Sequence, residues 1–166
     1  MDLKQLIDEI KLTYSCNVHP SRGIPRIEEN YYLPRDLKEF YSLCGGIQLF
    51  QGSDYAVNIV GPEEFVPANP VIVGERCSED ITSDWYIIAD NGSGEYLTID
   101  LNGKRIGRCY DSFIDRHGIV GECSIIAFSF MELLGRLFEN KGNYWYWLES
   151  SFDSLGDAYD DIKKVE

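Results

Sequence analysis

The sequence predicts an α+β domain with a mostly antiparallel, curved sheet and helices packed on one side. Two observations carry that expectation. In mid-chain, two short runs of β-forming residues flank a glycine-rich turn, and a second turn follows at once. Elsewhere, three segments repeat apolar residues at helical spacing and need a face to cover. The chain has 166 residues, enough for one domain with a substantial core, and a single domain over 1–166 is expected.

The central stretch is Asp84-Trp85-Tyr86-Ile87-Ile88-Ala89-Asp90-Asn91-Gly92-Ser93-Gly94-Glu95-Tyr96-Leu97-Thr98-Ile99-Asp100. Residues 85–89 form an apolar run between acids, and residues 96–100 are aromatic and β-branched, which suits a half-buried pleated surface. Between them, Asp90-Asn91-Gly92-Ser93-Gly94 tolerates positive φ. Asn102-Gly103 then signals a hairpin, with residues 104–110 returning as a third strand.

The remaining elements follow in order. Leu3, Leu6, Ile7 and Ile10 predict an amphipathic helix over 2–14. Residues 17–30, with two prolines and a glycine, read as a connection. Pro34 suits a first helical position, Leu37, Phe40, Tyr41 and Cys44 form one apolar stripe, and Gly45-Gly46 stops a helix over 34–44. Strands are expected at 47–50 and 55–59, a turn at 61–65, and a loop over 66–83. A glycine-punctuated loop over 111–122 leads into 123–127 and a last helix over 130–140. That helix opens on Ser129-Phe130-Met131-Glu132, a capping-box pattern, and carries Phe130, Leu133, Leu134, Leu137 and Phe138 at helical spacing. The aromatic run Tyr144-Trp145-Tyr146-Trp147-Leu148 reads either as an interface anchor or as a flap over one edge of the core.

Composition restricts function. The formal net charge of −13 makes nucleic acid a poor partner, because phosphates require a basic surface. The acidity either steers a basic protein partner or only keeps the chain soluble. The five cysteines, Cys16, Cys44, Cys77, Cys109 and Cys123, are odd in number, scattered and never spaced C-x-x-C. This argues against a zinc knuckle and against a secreted disulfide framework, and predicts buried free thiols in a reducing cytoplasm, an expectation for all five. Met1-Asp2-Leu3-Lys4-Gln5 lacks the pattern of a signal peptide, and no apolar run approaches the length of a membrane span.

Motifs for catalysis fail on spacing. Gly92-Ser93-Gly94 is too short for a nucleophile elbow and joins two strands. As a dinucleotide loop it has Leu97 where the third glycine belongs, with a strand following. Asp111, Asp115 and His117 could in principle form a metal set, but the only other histidine, His19, is remote in sequence, and a solvated polar loop is the simpler reading. No catalytic residue, metal site or cofactor is assigned.

Three blocks in order resemble the SUKH superfamily of bacterial immunity proteins and fungal cell-wall regulators. They are Leu33-Pro34-Arg35-Asp36-Leu37 through Phe40-Tyr41 to Cys44-Gly45-Gly46; Ile87-Ile88-Ala89-Asp90-Asn91-Gly92-Ser93-Gly94-Glu95-Tyr96; and Ile126-Ala127-Phe128-Ser129-Phe130-Met131-Glu132-Leu133-Leu134. They cover residues 33–138, and Cys44 stands where asparagine is common in that pattern. The resemblance implies the α+β fold, no enzymatic activity, and a protein partner: a cognate toxin, often a nuclease or deaminase. A regulatory scaffold and an uncharacterised enzyme are the competing classes.

For a toxin contact the expectation is an acidic rim shared by the turn 90–95 and the loop 111–122, holding Asp90, Glu95, Asp111, Asp115 and Glu122. A nuclease would present a basic groove that such a rim could occupy. Tyr86, Tyr96 and Tyr110 are the candidates for deeper contacts on an open sheet face, although alternation allows only some of them to point there.

Overall fold

The computed structural model describes residues 1–162; residues 163–166 of the single domain expected over 1–166 lie outside the described residues. Seven strands form one sheet in strict sequence order, every neighbouring pair antiparallel. They are β1 (Asn17–Val18), β2 (Ile47–Leu49), β3 (Val57–Ile59), β4 (Trp85–Asp90), β5 (Tyr96–Asp100), β6 (Cys109–Asp111) and β7 (Ile125–Ala127). The helices are α1 (Leu3–Lys11), α2 (Arg35–Leu43), α3 (Ala68–Ile72) and α4 (Phe130–Asn140). The mid-chain meander therefore continues through the whole sheet, as expected for an α+β fold.

Each main helix begins and ends for a local reason. In α1, the Asp2 carboxylate accepts the Gln5 amide while the Gln5 side chain accepts the Asp2 amide, a closed capping box. The helix stops at Lys11 rather than reaching residue 14, because the stripe of Leu3, Leu6, Ile7 and Ile10 has no apolar continuation into the core; Leu12 and Tyr14 are fully in solvent. In α2, the Asp36 carboxylate accepts the amide of Leu37 and also that of Met131, so the starts of α2 and α4 are tied together. Gly45 and Gly46 are required by close approach: a Cβ on Gly45 would lie 2.3 Å from the Pro20 carbonyl oxygen, and Gly46 has φ +113°. In α4, Ser129 accepts the Glu132 amide, while Glu132 reaches back to the amide of Phe128, one residue before the cap.

The second mid-chain turn differs from the expectation. Residues 104–110 do not form a long strand; β6 begins only at Cys109. The Asp100 carboxylate accepts the Asn102 amide, Asn102 accepts the Lys104 amide, and Gly107 takes the left-handed conformation at φ +92°. Asparagine side-chain bonding thus builds a broad turn in place of the two-residue hairpin that Asn102-Gly103 suggested. The connection 17–30 also contributes a short strand, β1, and the 66–83 loop contains α3 and a helical turn, Ile81–Asp84.

Neighbouring residues of β4 point to opposite faces and show what covers each. On one side Tyr86 stacks on Phe65, which meets Tyr41, and Phe40 meets Phe130, so this face carries α1, α2 and α4. On the other, Trp85 stacks on Tyr110 at 4.0 Å and meets the edge of His117. His117 bonds Asn69 of α3, Asn69 donates to Thr82, and Tyr159 donates towards Asp80 and the Gly118 carbonyl. The three amphipathic helices lie on one face as expected, but the reverse face is closed by irregular segments rather than left open.

A candidate partner-binding surface

The turn between β4 and β5 is built by its own side chains. Asp90 accepts the amide of Gly92 and the side-chain amide of Asn58, each at 2.9 Å. Asn91 accepts the amides of Ser93 and Glu95, and Gly92 and Gly94 have φ of +79° and +91°. The Glu95 carboxylate then crosses to the next loop and accepts the Ile114 amide at 2.9 Å. This single bond joins the turn 90–95 to the loop 111–122, so Asp90, Glu95 and Asp115 share one edge of the molecule. Asp115 is exposed, Ile114 beside it is 59% exposed, and Asp90, Glu95 and Tyr96 are half-buried.

The remaining rim acids, Asp111 and Glu122, and the tyrosines expected on an open sheet face, Tyr86 and Tyr110, lie elsewhere. Tyr110 is fully buried and donates its hydroxyl to Asp100 at 2.5 Å. Asp100 also accepts the Trp85 indole N–H and the Arg105 guanidinium, and burial pushes its carboxyl above the ordinary range against those partners. Tyr86 is buried, and its hydroxyl accepts the Glu28 amide. Asp111 is 1% exposed; its carboxylate accepts from Arg116, from the Trp147 indole and from the Phe113 amide. Tyr86, Tyr110 and Asp111 are therefore structural: each is buried and its polar atoms are bonded to described residues of the same chain. Glu122 is exposed but stands at the far end of its loop, beside Gly121, whose amide donates to Asp157.

The residues 111, 115 and 117 do not converge. Asp111 turns to Trp147, Asp115 to solvent and His117 to Asn69. Among the described residues, no group of three or more His, Cys, Asp or Glu side chains is placed to hold a metal ion. Burial lowers the His117 pKa to about 4, which keeps the ring neutral near pH 7.

An aromatic seam underlies the acidic edge, and sequence reading did not place it there. Tyr55 meets both Tyr144 and Trp145 edge-on at 5.4 and 5.3 Å. Trp145 meets Phe113 and stacks on Trp147. Trp145 and Phe113 line a small notch together with Asp90, Asn91 and Glu95. The run 144–148 is thus divided: Trp147 is buried and donates its indole N–H to Asp111, while Tyr144 stays exposed against Tyr55. The only sequence signal was aromatic density, which cannot say which ring faces outward. The resulting edge offers carboxylates above an aromatic base, an arrangement suited to a cationic protein surface.

Comparison with known proteins agrees with this architecture. The model of the SMI1 / KNR4 family (SUKH-1) matches residues 26–136. The chain is 55% identical over 163 residues to a Bacillus subtilis (strain 168) protein named "Immunity protein YokJ", an alignment covering 98% of this chain and 99% of that protein. No described helix is long and apolar enough to cross a membrane. With the match extending over most of the sheet and α2, and a relative aligned nearly end to end, the chain belongs to the SMI1 / KNR4 (SUKH-1) family.

Proposed function

We propose that the protein is an immunity protein: it binds a cognate protein toxin and blocks it by occlusion, not by catalysis. The observation that carries this is the near end-to-end likeness, at 55% identity, to a protein named for immunity. The contact surface is the edge bearing Asp90, Glu95 and Asp115, with Tyr96 and the seam of Tyr144 and Trp145 beneath it. With a net charge of −13, the chain favours a toxin with a basic face, such as the groove of a nuclease, and would speed its capture. The encounter takes place in the cytoplasm, consistent with five free cysteines.

The test is co-expression of the chain with the product of the reading frame beside its gene, scored as rescue of bacterial growth. Rescue by the wild-type chain and its loss in Asp115→Lys, with the fold intact, is the expected result. A toxic neighbour that the wild-type chain neither binds nor neutralises overturns the proposal.

A further inference from the structure

The loop from β6 to β7 turns over at a two-residue tip. Phe113 before the tip is buried, with its ring against Trp145 and Trp147. Its carbonyl accepts the amides of Arg116 and His117, at 2.8 and 2.9 Å, and closes the turn. After the tip, the Arg116 guanidinium folds back to Asp111 and over the Phe113 ring, and His117 is held by Asn69. Both ends are anchored in the molecule, and of residues 111–118 only Ile114 and Asp115 are exposed.

The tip itself is held from outside its loop. The Ile114 amide donates to the Glu95 carboxylate at 2.9 Å. Glu95 is a firm support, because Asn91 grips its backbone twice: the Asn91 side-chain oxygen accepts the Glu95 amide, and the Asn91 amide donates to the Glu95 carbonyl, each at 3.1 Å. Glu95 is half-buried and lines the notch with Phe113 and Trp145. A carboxylate engaged in this way is turned to its own chain. What it presents outward is Ile114, a large apolar residue 59% exposed, with its backbone already ordered. The β-branched side chain has little rotamer freedom left to lose on contact.

The surroundings of the tip say what it meets. Among the described residues, Asp90, Glu95 and Asp115 enter no salt bridge, and Arg116 of the same loop is paired with Asp111. The apolar tip therefore stands in uncompensated negative charge, which fits a basic surface. It is joined to the acidic edge by a direct bond, so one partner covers both. We infer that Glu95 acts in the toxin contact as a positioning residue, through Ile114. It holds the tip so that the Ile114 side chain enters an apolar pocket of the toxin, while Asp115 meets a Lys or Arg at the rim of that pocket. As a toxin contact, the tip rests on the immunity reading.

The test measures binding of the full chain to the purified product of the neighbouring reading frame, at low and at high salt. Glu95→Gln keeps the acceptor oxygen and removes the charge; Glu95→Ala removes both. Ile114→Ala and Glu95→Ala should each bind about tenfold more weakly or worse at both salt concentrations. Glu95→Gln should recover the affinity lost in Glu95→Ala to within about threefold of wild type at high salt, where charge is screened. Melting curves establish that each variant keeps the fold. Without any toxin, the NMR order parameter of the Ile114 amide should be about 0.85 in wild type and Glu95→Gln and fall below about 0.6 in Glu95→Ala. Glu95→Gln binding as weakly as Glu95→Ala at high salt overturns the positioning role, and so does an Ile114 amide equally ordered in wild type and Glu95→Ala. If the wild type binds and rescues growth, and folded Ile114→Ala does both equally well, the tip inference falls and the immunity reading stands. If the order parameters behave as expected but the wild type neither binds nor rescues, the immunity reading falls and the toxin contact falls with it, leaving Glu95 as an internal pin.

Discussion

Asp111 and Asp115 lie four residues apart in one loop, and the structure gives them opposite roles that a pair of variants can separate. Asp111→Ala removes an acceptor that serves three donors: the Arg116 guanidinium at 2.5 Å, the Trp147 indole N–H at 3.0 Å and the Phe113 amide at 3.2 Å. Arg116 is partly exposed and can turn to water, but Trp147 and Phe113 are buried. Breaking a buried charge pair by removing one partner costs about 3–5 kcal/mol, and the mobility of Arg116 favours the lower end. For a domain of this size that corresponds to a fall in Tm of roughly 10 °C, at about 2–4 °C per kcal/mol. Asp115→Lys touches no such network and should leave stability within about 0.5 kcal/mol of wild type. Thermal melts followed by circular dichroism give the first readout, and toxin affinity at two salt concentrations gives the second. Asp115→Lys should weaken binding most at low salt, where charge is least screened. Should Asp111→Ala melt within about 2 °C of wild type, its carboxylate is not a buried acceptor on which those three donors depend. Should Asp115→Lys bind the toxin unchanged at low salt, the acidic edge is not the contact.

The same packing governs acid sensitivity, helix capping and thiol reactivity. His117 has a folded pKa near 4 against an ordinary value of 6.5, so between those values the unfolded chain binds more protons and stability falls as pH drops. Its contribution approaches about 3 kcal/mol over the window, and equilibrium denaturation of His117→Gln should show a flatter slope from pH 6.5 to 4.5; an unchanged slope would place the acid sensitivity elsewhere. Ser129→Ala deletes the cap of α4 and should cost about 1 kcal/mol in urea denaturation, with no cost meaning that Glu132 and Asp36 hold that end alone. Native thiol labelling should modify partly exposed Cys16 and Cys77 first, while buried Cys44, Cys109 and Cys123, the last with its pKa pushed up to about 12 by burial, react only on unfolding. Fast modification of all five would contradict the packing.

The sequence alone determined the features that depend on neighbours along the chain. Leu3, Leu6, Ile7 and Ile10, the stripe of α2, and Ser129 before α4 marked helices whose buried faces are those very residues, because helical periodicity is a local property. The 90–95 turn was legible for the same reason: Asp90, Asn91 and two glycines complete it with bonds among themselves and Asn58. The Asn102-Gly103 turn was misread because Asp100, held by Trp85, Tyr110 and Arg105, recruits Asn102 into a broader loop. Only tertiary structure decided which acids and rings reach the surface. Composition cannot distinguish Asp111 from Asp115, since the difference is Trp147 arriving from 36 residues away. Nor can it show that Glu95 bridges to Ile114 or that Trp145 underlies the acidic edge. Those facts arise where distant segments meet, and burial there sets whether a carboxylate is a buried acceptor or a charge offered to a partner.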